Sequence, residues 1–371
     1  MKQFKLSPTI SIAETCKEFV DNYNVNEKDL LIIGEHTYND YFKKLNIKAK
    51  VIYLRSYGSG EPSDEMVDKM YADVSQTDYN RVIAIGGGSI LDVAKLFTLK
   101  NISPALDLFE HGLPVERDKQ LILIPTTCGT GSEVTNISIL ELKSRHTKFG
   151  LAVDDLYADD AVLIPELLQS LPFKFFATSS IDAFVHAIES YLSPKATPFS
   201  ETFSIKAMEM ILAGYKIIAK NGPKARLPYL KDFLVASTFA GIAFGNAGTG
   251  AVHAMSYPLG GIYHVPHGES NYAVFTGVFK AYQALKPVGK IEELNEFLSN
   301  MLNCDKDKVY DEIEVLFNHL IPKKALHEYG VKEEELPDFT TSVIEKQQRL
   351  MANNYTTLDW EKVYEIYKEL Y

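Results

Sequence analysis

The 371-residue sequence is short of cysteine, with three in all: Cys16, Cys128 and Cys304. Three scattered thiols exclude a disulfide framework and a cysteine-ligated zinc site, and they fit a reducing, cytoplasmic setting. Basic charge is also short. The 38 Lys and Arg residues stand against 49 Asp and Glu, a formal net charge of −11. That acid excess excludes general binding to nucleic acid or anionic membrane, but leaves room for a local pocket around a phosphate-bearing cofactor. No run approaches the ~18 consecutive apolar residues of a membrane-spanning helix. Residues 1–10 lack a sustained apolar stretch, so no secretory signal is expected. Hydrophobic residues at 46% and charged residues at 23% are the proportions of a globular chain, which excludes disorder and collagen-like repeats. The length predicts two domains, each able to bury its own core.

The first half alternates two patterns. Apolar, β-branched runs at residues 30–33, 51–54, 81–85, 121–124 and 161–164 predict strands. Residues 62–74, with Met66, Met70 and Val74 on one stripe, and residues 90–99 predict helices between them. Such alternation makes a parallel sheet with helices on its faces. Residues 134–140 and 149–153 flank a polar stretch and predict an antiparallel ribbon. After about residue 172 the spacing turns helical, with segments at 175–192, 198–219, 229–244, 271–284, 291–302, 306–319, 336–347 and 359–370. The predicted organisation is an α/β domain over residues 1–171 and an all-α domain over 172–371, parted at Leu171–Pro172.

Two loops in the α/β half carry a chemical signal. Gly86-Gly87-Gly88-Ser89 joins a strand to a helix, where missing Cβ atoms and unpaired helix N–H groups suit a phosphate. Ser89 is placed to cap that helix. A plain tight turn has the same look. Neither the Rossmann glycine fingerprint nor a P-loop is present, since the first strand is followed by Gly34-Glu35-His36-Thr37. Pro125-Thr126-Thr127-Cys128-Gly129-Thr130-Gly131-Ser132-Glu133 follows the next strand. Two such loops at neighbouring strand ends face one crevice of a doubly wound sheet. Cys128 has small uncharged neighbours and reads as a packed thiol.

In the helical half, Asp182 and His186 are four residues apart, on one helix face. His253 lies near a glycine-rich segment, and His264 and His267 flank Pro266 in a short loop. Three histidines and one carboxylate complete a four-ligand site suited to Fe²⁺ or Zn²⁺. A lone Asp-x-x-x-His is also a common structural pair. Tyr257, between His253 and His264, reads either as a proton donor or as a packed aromatic. His36, His111, His146, His319 and His327 read as structural or surface residues.

Together these segments resemble the iron-containing (metal-dependent) alcohol dehydrogenase family. The resemblance rests on Gly86–Ser89 with Asp92 and Lys95, Pro125–Glu133 with Val134 and Thr135, Asp182-Ala-Phe-Val-His186-Ala-Ile-Glu-Ser-Tyr191, and His253-Ala-Met-Ser-Tyr-Pro-Leu-Gly260 through to Pro266-His267-Gly268. Their order and spacing fit over nearly the whole chain. The resemblance implies a dehydroquinate synthase-like fold, with a dinucleotide-binding domain, a helical domain, and cofactor and metal in the cleft between them. It implies Asp182, His186, His253 and His267 as ligands of one divalent metal, Fe²⁺ first and Zn²⁺ second. It implies Gly86, Gly87, Gly88, Ser89 and Asp92, then Thr126, Thr127 and Thr130, and further Lys148 and Leu167, as NAD contacts. Glu35 falls where the family often has an acid; a carboxylate there accepts from a ribose 2′-OH and repels a 2′-phosphate, so NAD is expected over NADP. A homodimer is also implied.

The implied chemistry is reversible hydride transfer between a primary alcohol and NAD, with the metal as Lewis acid. Many members have a histidine where Tyr257 stands and an asparagine where His264 stands. Both changes leave the proton path to Tyr257, His264 or ordered water. The wording Ser256-Tyr257-Pro258 and Tyr263-His264-Val265-Pro266-His267 is most like the branch that converts 4-hydroxybutyrate to succinic semialdehyde. The alternatives are a dehydrogenase for butanol, 1,2-propanediol or glycerol, a dehydroquinate synthase-like lyase, and a sensor that kept the fold. The lyase reading needs a Lys/Arg cluster for a substrate phosphate, and none lies near Asp182 or His253–His267 in sequence.

Overall fold

The computed structural model describes residues 1–110, 112–145 and 147–371; His111 and His146 lie outside the described residues. The chain divides into two compact units, one of Leu6–Leu171 and one of Met1–Lys5 with Pro172–Tyr371. The first five residues therefore leave the α/β domain in which the sequence placed them. Phe4 explains this: its ring stacks on Phe203 and tilts against Phe199, while Lys2 Nζ donates to the Ala196 carbonyl.

The α/β unit is a six-stranded parallel sheet in the order β1-β8-β5-β4-β2-β3. Its strands are β1 (Thr9–Ile12), β2 (Asp29–Ile33), β3 (Lys50–Tyr53), β4 (Arg81–Gly86), β5 (Gln120–Pro125) and β8 (Asp160–Leu163). β2 is buried throughout, and β4 and β5 nearly so. Central strands covered on both faces read as unbroken apolar runs, which is why these were visible in sequence. β1 was not. It has four residues, sits at the edge and is mostly exposed; only its pairing with β8 makes it a strand.

Helix α1 (Cys16–Tyr23) starts where the Thr15 side chain accepts from the Glu18 N–H, and stops at left-handed Asn24. Helix α2 (Asp64–Val74) is capped by Ser63 and buries the expected Met66, Met70 and Val74 stripe against the sheet. Helix α3 (Gly88–Leu96) follows β4. β6 (Ile137–Leu142) and β7 (Thr147–Ala152) form the antiparallel ribbon, with Glu141 opposite Lys148. The ribbon begins three residues later than expected, because Ser132–Val134 is a 3₁₀ turn. Half of the polar stretch at residues 141–148 lies in the strands.

The second unit is helical: α4 (Phe173–Leu192), α5 (Pro198–Asn221), α6 (Leu230–Ala247), α7 (Ala251–Tyr263), α8 (His267–Leu285), α9 (Lys290–Leu302), α10 (Val309–Asn318), α11 (Leu336–Lys346), α12 (Gln348–Met351) and α13 (Trp360–Leu370). α4 is buried at nearly every position from Phe176 onward and packs against α5, α6 and α8. The stretch Pro223–Ala247 is long and apolar enough to cross a membrane, but 56% of its most apolar window is buried inside the unit, as a core helix requires. α7 was not among the expected helices, which left residues 245–270 without one; it begins just after the glycine-rich segment 241–250. Pro258 lies inside it, and the Tyr367 hydroxyl donates to the Met255 carbonyl in the turn before.

Candidate active site

The four residues expected to ligate a metal come together within the helical unit. Asp182 and His186 lie one turn apart on α4, His253 sits in the first turn of α7, and His267 opens α8. One potential ligand atom from each of the four falls within 4.8 Å of the others. His186 Nδ1 is 3.9 Å from Asp182 Oδ2; His253 Nε2 and His267 Nε2 are 3.8 Å and 3.6 Å from Asp182 Oδ1. Bonds of about 2.0–2.2 Å set ligand atoms roughly 3.3–3.6 Å apart on a tetrahedron, so small shifts close this set around one ion. His267 is the exposed member; the other three are buried.

A glycine makes this approach possible. A Cβ on Gly268 would stand 2.1 Å from the Thr178 carbonyl oxygen and 3.3 Å from Asp182 Cβ. Only glycine lets the start of α8 lie against α4 and deliver His267 to Asp182.

Two further side chains complete the arrangement. Asn271, one turn after His267, donates from Nδ2 to Asp182 Oδ1 at 2.7 Å, and the same nitrogen is 3.2 Å from His253 Nε2 and 3.3 Å from His267 Nε2. Three of the four candidate ligand atoms thus converge on one donor, while the buried Asn271 Oδ1 has no hydrogen-bond partner among the described residues. A donor meeting three acceptors at one point marks where a cation fits. Glu189, on the face of α4 shared by Asp182 and His186, holds His253 from behind. Its Oε2 is 2.6 Å from His253 Nδ1, and its Oε1 accepts from the Val252 N–H at 2.7 Å. This carboxylate fixes the ring so that Nε2 faces the cluster. His186 is held by stacking on Phe244 and His253, with ring centroids 4.3 Å and 4.6 Å away.

The electrostatics match. Burial works to raise the Asp182 carboxyl, but His186, His267 and His253, with the Asn271 amide, hold it below the usual carboxylate range. Burial works to lower His253, but Glu189 and Asp182 hold its ring above the ordinary imidazole value. Three imidazoles and one ionised carboxylate form a donor set suited to Fe²⁺ or Zn²⁺.

The α/β unit forms its own site at the carboxyl ends of its strands. The sheet order reverses between β2 and β4, the switch point where doubly wound sheets bind nucleotides. Gly86 ends β4, and its carbonyl accepts from the Thr126 N–H at 3.0 Å. Gly87 is the N-cap of α3, with no side chain bonded to the helix start, so Ser89 is not the cap the sequence suggested. A Cβ on Gly87 would touch Thr127 at 3.6 Å, and one on Gly88 would meet Thr130 at 2.9 Å. The two loops therefore pack on each other, with the helix start open to an anion. Glu35 is exposed just past the end of β2.

Sequence comparison decides the family. Residues 11–165 match the pattern described as iron-containing alcohol dehydrogenase, and residues 176–371 match the Fe-containing alcohol dehydrogenase family, C-terminal. The chain belongs to the iron-containing alcohol dehydrogenase family. It is 50% identical to the 4-hydroxybutyrate dehydrogenase of Clostridium kluyveri over 100% of both chains. It is 35% identical to long-chain-alcohol dehydrogenase 1 of Geobacillus thermodenitrificans, over 79% of this chain and 75% of that one. Its fold is shared with the sulfoacetaldehyde reductase from Bifidobacterium kashiwanohense solved with NAD⁺ (TM-score 0.87, 22% identity, covering 100% and 98%).

In this iron-containing alcohol dehydrogenase the remaining expected residues fall into two groups. Asp92 is occupied internally: its carboxylate accepts from Ser132 Oγ at 2.5 Å and from the Ile139 N–H at 3.2 Å. Lys95, fully buried, donates to Ser132 Oγ at 2.8 Å and the Ile137 carbonyl at 2.6 Å. Both brace the second loop and the ribbon against α3. Lys148 pairs with Glu61 at 2.9 Å, and Leu167 is buried in a 3₁₀ turn (Pro165–Leu168). Cys128 is fully buried. Tyr257 lies one turn beyond His253. Burial raises its phenol, Arg349 draws it down, and Glu189 and Asp182 push it up. His264 is the exposed, left-handed C-cap of α7; its backbone N–H donates to the Leu259 carbonyl, and its ring makes no hydrogen bond or ion pair among the described residues. His36, His319 and His327 are exposed. Sequence reasoning passed over Glu189 and Asn271, although the steps 182/186/189 and 267/271 are helical repeats that place each beside a ligand.

Proposed function

We propose that this chain is an NAD-dependent dehydrogenase that interconverts 4-hydroxybutyrate and succinic semialdehyde, working as a cytoplasmic homodimer. The observation that carries the reading is 50% identity to a 4-hydroxybutyrate dehydrogenase along the whole of both chains.

Iron held by Asp182, His186, His253 and His267 would supply Lewis acidity to the substrate oxygen, and bound NAD would supply the hydride acceptor. The chain's own residues do the rest. Glu189 and Asn271 fix the ligand side chains in place. The raised phenol of Tyr257 stays protonated at neutral pH, which suits donation to an aldehyde oxygen in the reductive direction. His264 is the alternative proton group at the surface. The open start of α3, with Gly86, Gly87, Gly88 and Ser89, presents N–H donors to a pyrophosphate, flanked by Thr126, Thr127 and Thr130. Glu35 favours NAD by accepting from a ribose hydroxyl and repelling a 2′-phosphate.

A second reading, oxidation of a neutral alcohol, is favoured by the 35% identity to long-chain-alcohol dehydrogenase 1. NADH absorbance with iron-loaded protein and a panel of 4-hydroxybutyrate, 1-butanol, 1,2-propanediol and glycerol separates them. Turnover of 4-hydroxybutyrate well above the others is expected; turnover of the neutral alcohols alone transfers the assignment to the second reading.

A further inference from the structure

His267 is the least secured of the four candidate ligands. Asp182 and His186 sit inside α4 and are buried, and His253 has Glu189 behind its ring. His267 is the first residue of α8, its side chain is 46% exposed, and no side chain caps the helix at Pro266 before it. Helix ends of this kind fray. Another contact has to hold the first turn of α8 where the cluster needs it.

The same turn supplies one. Glu269, two residues on, is buried although it carries a carboxylate. Its Oε2 has no hydrogen-bond partner among the described residues and meets the Lys174 ammonium at 3.1 Å, while Lys324 Nζ stands 4.0 Å from its Oε1. Lys174 lies in the first turn of α4, where a cation opposes the helix dipole, so α4 gains nothing locally from it. The Lys174 carbonyl accepts from Thr178 Oγ1 at 3.0 Å, and the carbonyl of Thr178 is the group that faces Gly268. α8 is thus fastened to α4 at two successive residues, by close approach at Gly268 and by charge at Glu269. From Lys174 the same stripe of α4 runs through Thr178 to Asp182 and His186. The ion pair therefore ties the helix that carries His267 to the helix that carries Asp182 and His186.

We propose that Glu269, acting through Lys174, is a positioning residue for His267 and so for the metal. A buried carboxylate that loses its cation must take up a proton or move toward water. Either change loosens the start of α8 and shifts His267, while Asp182 and His186 stay fixed within α4 and His253 stays held by Glu189. The proposal rests on the cluster as the iron site and holds whichever alcohol is the substrate.

The test compares wild type, Glu269→Gln, Lys174→Gln, Lys174→Arg and the double variant Glu269→Gln/Lys174→Gln. Fe²⁺ affinity is read by competition with a chelator, and ligand geometry by the visible absorption of Co²⁺-loaded protein. Charge acting alone gives opposite signs: removing a carboxylate near a bound cation weakens binding, and removing an ammonium strengthens it. Positioning gives the same sign. Iron affinity should fall about tenfold in Glu269→Gln and about threefold in Lys174→Gln, and the double variant should be no weaker than Glu269→Gln alone. The Co²⁺ spectrum should change in these three variants, and Lys174→Arg should stay close to wild type in both readouts. Tighter iron binding in Lys174→Gln, additive losses in the double variant, or an unchanged affinity and spectrum in Glu269→Gln each overturn the proposal. Lys174 is exposed, so its variant keeps the test decisive where Glu269→Gln fails to fold. A wild type that binds no iron overturns the cluster reading itself, and the proposal with it.

Discussion

The two units build their sites in opposite ways. In the α/β unit the site is backbone: consecutive glycines at the end of β4 and small hydroxyl residues at the end of β5, pressed together because no side chain intervenes. In the helical unit the site is side chains: four presumed ligands from three helices, separated by up to 85 residues of sequence and each braced by a neighbour. The first kind of site depends on what is absent from a few adjacent positions. The second depends on helices meeting at the right faces, so it is sensitive to residues that never touch a ligand.

That contrast can be broken at several points. The largest effect is expected from His267→Ala, which removes one of four ligands while leaving the helix that carries it. Iron should be lost, and activity should fall by about a thousandfold or more, with the circular dichroism spectrum preserved. Retained iron and rate would remove His267 from the ligand set. Next comes Glu189→Gln, which leaves all four ligands in place but weakens the support of His253. Iron affinity, read by competition with a chelator, should drop about 10- to 100-fold. The same variant has a proton signature. Glu189 and Asp182 hold the metal-free His253 ring above the ordinary imidazole value, so below that raised value the ring carries a proton that iron must expel. Calorimetry in buffers of different ionisation heat should show fewer protons released by Glu189→Gln at neutral pH.

In the other unit, Gly88→Ala sets a methyl 2.9 Å from the Thr130 methyl. The KM for NAD should rise about tenfold with iron content unchanged, and adding Thr130→Ala should recover part of it. A change in iron content would show that the two sites are not independent. The smallest effect is expected from Glu35→Ala, which should narrow the preference for NAD over NADP by about tenfold; an unaltered ratio would take Glu35 out of the cofactor site.

The same contrast explains what could be read from the sequence. The strands β2, β4 and β5 and both loops are local, and apolar runs ending in glycine or proline announce them. The four candidate ligands were visible because histidine and aspartate are conspicuous at helical spacing and because their surroundings resemble a family. Their supports were not: Glu189, Asn271 and Gly268 acquire a role only once α4, α7 and α8 meet. α7 was hidden by Pro258 and its flanking glycines, which locally signal coil; burial against the unit overrides that preference. β1 was hidden because four residues at a sheet edge carry almost no pattern.

The most direct measurement is the rate of NADH formation from 4-hydroxybutyrate and NAD as Fe²⁺ is added anaerobically to chelator-stripped protein. No rate before iron is expected, then a linear rise to a plateau at one equivalent per chain. Full activity from the stripped protein, or none after one equivalent is bound, would contradict a dehydrogenase built on the Asp182, His186, His253 and His267 cluster.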